Sequence, residues 1–163
     1  TSEQILYEMA NRDSSQIISV TSSKSQEHTI LRDSILPGLL ENLSKNIHET
    51  YPQKFFESGI VFSKGAPIKE TTNLACVTAS EETNFSEMKA VVQSLLRIGF
   101  SIKSETKTLS NHALFSQGRV AEIIVNRKVV GYIGELDSKV LENFRIRTKV
   151  VAFEIKLSGL IFD

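Results

Sequence analysis

The sequence is poor in the features that usually announce a chemistry. Cys76 is the only cysteine among 163 residues, so no disulfide can form within the chain and a reducing, cytoplasmic setting is expected. It lies in the apolar run Leu74-Ala75-Cys76-Val77, where a free thiol reads as a small hydrophobe in a buried strand rather than a nucleophile. No apolar stretch nears the roughly 20 residues of a membrane span, and the N-terminus lacks a signal-peptide pattern. Charge of one sign is missing as well. The 19 Lys and Arg balance 19 Asp and Glu, which removes any net pull toward nucleic acid or an anionic membrane. His28, His48 and His112 are scattered among polar neighbours and read as surface residues, not metal ligands or general bases. There is no P-loop, no G-x-G-x-x-G after a strand and no G-x-S-x-G nucleophile turn. The chain opens at Thr1 without an initiator methionine, as a segment of a longer protein would.

What is present fits one domain over residues 1–163, long enough to bury about two-thirds of its unfolded surface. Ser2 can cap a first helix from Glu3 to Ala10, followed by a short strand over Ile17 to Thr21 and a loop over Ser22 to Glu27. The strongest helical stripe is Leu36, Leu39, Leu40, Leu43 and Ile47, with Pro37 tolerated in its first turn. Strands over Lys54 to Phe62 and Thr71 to Thr78 should form an antiparallel hairpin, with Gly59 as a bulge or close-approach point. Asn84 and Glu87 match a capping box for a helix that Gly99 should stop, and a strand over Ser101 to Lys107 should follow. Val120 to Val125 and Val129 to Leu136 read as a second hairpin, Asp137 as the cap of a short helix, and Val150 to Leu157 as the last strand. Antiparallel strands with helices set on one side make the class α+β.

Three further clusters admit two readings each. The glycines of Gly131-Tyr132-Ile133-Gly134-Glu135 suit either close packing against a helix or a ligand cradle. Arg119, after Gly118, suits an ion pair with Glu122 or Glu135, or an anion-binding cleft. Arg145, Arg147 and Lys149 alternate and would share one face of an extended segment, as a solvated edge or as a contact to phosphates.

Several longer strings carry a resemblance. Thr29-Ile30-Leu31-Arg32-Asp33-Ser34-Ile35-Leu36-Pro37-Gly38-Leu39-Leu40-Glu41-Asn42-Leu43, with Asn46 following, is similar to a signature of the phenylalanine–tRNA ligase β subunit family, archaeal and eukaryotic type. Tyr51 to Phe62, Phe85 to Gly99, Gln117 to Ile123, Val130 to Leu136 and Val151 to Ile155 resemble later motifs of that family, in order. The resemblance runs from about Ile17 to Leu160 and implies a class II synthetase-like antiparallel sheet flanked by helices. It implies a cytoplasmic, non-catalytic β core that pairs with a catalytic α subunit in an (αβ)2 assembly, with tRNA as a partner of the whole complex. ATP and Mg2+ are expected at the α subunit and no cofactor in this domain. Catalytic class II chains carry an arginine after the strand matching Phe55 to Phe62, where this chain reads Ser63-Lys64-Gly65. They also end in a glycine-rich strand and helix with a Glu-Arg pair that holds ATP, where this chain reads Phe153-Glu154-Ile155-Lys156-Leu157-Ser158, without the arginine or the glycines. Without those residues, the charge-assisted contacts to a triphosphate are missing.

Under that resemblance the Leu36–Ile47 helix is expected to supply apolar area to the core on one side and to the subunit interface on the other, with Leu36, Leu39, Leu40, Leu43 and Asn46 as the interface residues. Arg32, Pro37, Gly38, Glu57, Gly59, Gly118, Arg119, Gly134 and Glu135 are expected to hold the loops and strands in place. Ser58, Gln117, Asp137-Ser138 and Arg145 depart from the family pattern, the last standing where a glycine is common. The alternative is an independent ligand-binding module using Arg119 and the Gly131–Glu135 strand.

Overall fold

A computed structural model describes residues 3–12, 17–20 and 30–160. The expected cap at Ser2, the loop from Ser22 to Glu27 and His28 lie outside those residues. In chain order the elements are α1 (Glu3–Met9), β1 (Ile18–Ser19), β2 (Ile30–Leu31), α2 (Leu36–Lys45), β3 (Gln53–Ser63), β4 (Lys69–Ala79), α3 (Phe85–Ser94), β5 (Glu105–Leu109), β6 (Phe115–Val125), β7 (Lys128–Leu136), α4 (Ser138–Asn143) and β8 (Val150–Lys156). Strands β3 to β8 form one antiparallel sheet in the order β3-β4-β8-β7-β6-β5, and β1 pairs with β2 alone. The α+β class and the antiparallel sheet agree with the sequence.

Side chains alternate between the two faces of a strand, and that alternation builds two cores. Ala75, Val77 and Ala79 of β4 join Leu36, Leu39, Leu40 and Leu43 of α2, Leu6 of α1 and Val140 of α4. Val151, Phe153 and Ile155 of β8 join Met88 and Val92 of α3 with Ile123 and Ile133 on the opposite face. The helices therefore cover both faces, not one as the pattern of elements suggests. The stripe on α2 faces inward: Leu36, Leu39, Leu40 and Leu43 are 3, 2, 0 and 2% exposed. Each contributes roughly 1.5–3 kcal/mol by leaving water. That corrects their expected place at a subunit interface, because their surface is already used within the chain. Asn46 is half-exposed, and its Nδ2 donates to Asn42 O while its carbonyl accepts from Gln53 Nε2.

Local chemistry explains the boundaries. Asn84 Oδ1 accepts from Glu87 N at 3.0 Å and Asp137 Oδ1 from Lys139 N at 2.9 Å, so both expected caps form. Helix α3 loosens into a π-helical turn over Leu95–Gly99 before it stops, and the left-handed residue beyond it is Ser101, not Gly99. Strand β5 runs over Glu105–Leu109, later than expected. The β6–β7 turn has Asn126 and Arg127 both at positive φ, 49° and 64°, the backbone of a tight two-residue hairpin.

Candidate functional site

A cleft of about 480 Å³ opens on the α2 face of the sheet. Its walls include Val61 and Ser63 of β3, Thr71 and Asn73 of β4, Tyr132 of β7 and Glu154 and Lys156 of β8, with Arg12, Asp33 and His112 around them. Strand alternation brings these residues together: Ser63, Asn73, Tyr132 and Glu154 project from the face that also carries the α2 core.

Glu154 organises the cleft. Its Oε2 accepts from Ser34 Oγ at 2.6 Å and from Ile35 N at 3.2 Å and Leu36 N at 3.4 Å, and its Oε1 accepts from Asn73 Nδ2 at 2.7 Å. Helix α2 has no side-chain cap of its own at Ile35. A carboxylate 119 residues away in sequence from Ile35 supplies it instead, where the first amides and the helix dipole favour negative charge. No local signal in the sequence marks this role, since the acceptor and its donors meet only in the folded sheet.

Arg12 and Asp33 are also committed to each other. Arg12 Nη2 donates to Asp33 Oδ2 at 2.6 Å, and the Arg12 Cζ lies over the Tyr7 ring, 5.6 Å from its centre. Burial and then the Asp33 carboxylate push the Tyr7 hydroxyl far above its ordinary range, so it stays protonated; its oxygen accepts from Asp33 N at 2.9 Å. His112 is half-buried, against the expectation of a surface residue. It packs against Phe115 and Tyr132, its Nδ1 accepts from Leu114 N, and burial, then nearby Arg12, lower its pKa to about 4. It is therefore neutral at physiological pH. Arg12 and Lys156 face Asp33 and Glu154, so the described lining carries no surplus of positive charge.

The other singled-out residues lie elsewhere and mostly pair with one another. Arg32 Nη1 donates to Glu57 Oε1 at 2.6 Å and its Nε to Ile60 O at 3.0 Å, holding the β2 end against β3. A Cβ at Gly59 would overlap that guanidinium, while β3 stays in unbroken register with β4; close approach, not a bulge, is what this glycine serves. Arg119 pairs with Glu135, not Glu122. Gly118, at φ 75°, sits where β6 shifts register against β7. A Cβ at Gly131 would overlap the Glu154 carbonyl, and one at Gly134 would lie 2.7 Å from Arg119 O. Both glycines thus make room for neighbouring strands and, at Gly134, for the Phe115 ring, rather than for a helix. Pro37 is buried at the start of α2, while a methyl group at Gly38 would meet nothing within 4 Å. Of the residues suggested for a ligand module, Gly131 and Tyr132 line the cleft and Arg119 and Glu135 do not. Cys76 is half-buried on β4, and burial raises its thiol pKa.

Residues 1–157 match the family described as phenylalanyl tRNA synthetase beta chain CLM domain. The chain belongs to that family. Among curated members of the phenylalanine–tRNA ligase beta subunit group, it is 39% identical to the protein from Archaeoglobus fulgidus over 100% of its own length. It is 36% identical to those from Pyrococcus abyssi and Methanocaldococcus jannaschii, over 98% and 96% of its length. The chain spans 29% of the length of each of these relatives. A crystal structure of pyrrolysyl-tRNA synthetase from Desulfitobacterium hafniense superposes with a TM-score of 0.77 at 16% identity, covering 98% of this chain and 58% of that one. The CLM domain therefore has a class II synthetase-like fold.

Proposed function

We propose that this chain is the non-catalytic core domain of a phenylalanyl-tRNA synthetase β subunit, which pairs with a catalytic α subunit in an (αβ)2 assembly that charges tRNA with phenylalanine in the cytoplasm. The observation that carries the non-catalytic part is Glu154. It fixes a carboxylate among the α2 amides, where a nucleotide phosphate would otherwise find helix-terminal donors. The Arg12 guanidinium in the cleft wall is committed to Asp33, which leaves Lys156 as the other cation of the described lining. A triphosphate needs several converging cations, and ATP and Mg2+ belong in this reading to the α subunit.

The pairing part draws support from apolar surface that the domain leaves in water. Phe56 and Ile60 project from the outward face of edge strand β3 and are 77 and 48% exposed. Obligate interfaces take up side chains of this kind. The test is co-purification of the β subunit with α, combined with ATP binding by this domain alone. A stable complex, weakened by Phe56→Ser with Ile60→Ser, and no nucleotide binding by the lone domain are the expected results. Clear ATP binding by the lone domain, or no complex with α, refutes the proposal.

A further inference from the structure

Between α4 and β8 the chain runs as a ridge with a strict alternation. Phe144, Ile146, Thr148 and Val150 are 1, 5, 8 and 0% exposed, and between them Arg145, Arg147 and Lys149 stand in solvent. The ridge is held from below: Ile146 N donates to Leu141 O, Ser80 N donates to Lys149 O, and Thr148 Oγ1 donates to Glu81 Oε1 at 3.0 Å. The three cations are thus presented together by a fixed backbone. Arg145 holds φ at 58°, in the left-handed region that glycine adopts more easily than a residue with a side chain.

In contrast to Arg12, Arg32 and Arg119, none of these three cations is ion-paired among the described residues. Two shallow depressions, of about 510 and 690 Å³, flank the ridge. The first brings Arg145 and Arg147 beside His48 and the Tyr51 ring, which is 41% exposed. Glu81 lines the first depression and Glu142 the second; one oxygen of Glu81 is already taken by Thr148. Cations that follow one another along a ridge suit a phosphate backbone, and an adjoining exposed aromatic ring suits a stacked base.

We infer that the Arg145–Lys149 ridge, with Tyr51, is a contact surface for the phosphate backbone of a folded RNA. The inference rests on the assembly proposed above only for its probe, unfractionated tRNA. The experiment measures tRNA affinity across a salt series for the full-length β subunit, alone and with α, with assembly followed separately by gel filtration. Arg145→Gln/Arg147→Gln/Lys149→Gln should weaken binding and lower the slope of log affinity against log salt by about 2 to 3, at about 0.7–0.9 for each phosphate that is no longer neutralised. A control that removes the same charge elsewhere, Lys103→Gln/Lys107→Gln/Lys128→Gln, should leave the slope near wild type. Tyr51→Leu should cost about tenfold in affinity with little change in slope, and Tyr51→Phe should restore it. An unchanged slope in the ridge variant, or an equal drop in the control, overturns the inference. So does loss of α binding without loss of tRNA binding by the β subunit alone, which would make the ridge a protein interface. Absence of a complex with wild-type β would sink the assembly proposal instead, and the titrations on β alone would still read the RNA contact.

Discussion

Replacing Glu154 by alanine leaves Ser34 Oγ, Asn73 Nδ2 and the first amides of α2 without their acceptor. Hydrogen bonds to a charged group contribute roughly 1.5–3 kcal/mol each, and the two short ones here, at 2.6 and 2.7 Å, dominate. The longer contacts to Ile35 N and Leu36 N add a modest helix-dipole contribution of roughly 0.3–1 kcal/mol. Water entering the open cleft recovers part of the loss, so Glu154→Ala should destabilise the chain by about 3 kcal/mol. That is a large share of a typical domain stability of roughly 5–15 kcal/mol. With a urea dependence near 2 kcal/mol per molar, the midpoint should fall by about 1.5 M. Glu154→Gln keeps the shape and one acceptor oxygen but turns an amide toward the donors, and should cost about half as much. Urea denaturation followed by circular dichroism reads both. A Glu154→Ala midpoint within about 0.25 M of wild type would refute the idea that this carboxylate caps α2.

Other perturbations follow from the same geometry. Gly131→Ala forces a methyl group onto the Glu154 backbone in the middle of the sheet and should cost roughly 3 kcal/mol or more, seen as a collapse of the urea midpoint or loss of soluble protein. Arg127→Gly relieves a left-handed side chain in the β6–β7 turn and should raise stability by about 0.5 kcal/mol; a lower midpoint would count against that turn geometry. His112 protonates near 6.5 when unfolded and only near about 4 when folded, so the unfolded chain takes up the proton first as pH falls. Its contribution is complete above pH 6.5 and is lost between there and about pH 4. In His112→Phe that part of the pH dependence should vanish, and denaturation midpoints across that range will show whether the gap between variant and wild type stays constant.

Signals that act within a few residues were legible in the sequence. The Asn84 half of the capping box, the Asp137 cap and the β3–β4 hairpin all appear where local chemistry puts them. The leucine stripe on α2 was legible as a stripe, but periodicity does not say whether the covering surface belongs to the same chain. Burial of 0 to 3% assigns it to the domain's own core. The cleft was the least legible part. Glu154 was visible only as part of the Val151–Ile155 motif, with nothing to mark it as a cap, and its donors come from residues near 34 and 73. His112 looked polar by its sequence neighbours, whereas its real neighbours are the rings of Phe115 and Tyr132.

The place of β8 has a consequence for how the chain reaches its fold. Hairpins β3–β4 and β6–β7 join strands that are neighbours in sequence, and each can close early over a short loop. The two hairpins have no direct pairing with each other; β8, the last strand of the sheet in chain order, lies between them and pairs with both. During synthesis, β4 and β7 must therefore wait with open edges until residues 150–156 emerge. Folding of this sheet is gated by its final strand, and a ribosome-bound chain stopped just short of it should present a hairpin and a separate three-stranded meander to chaperones rather than one domain.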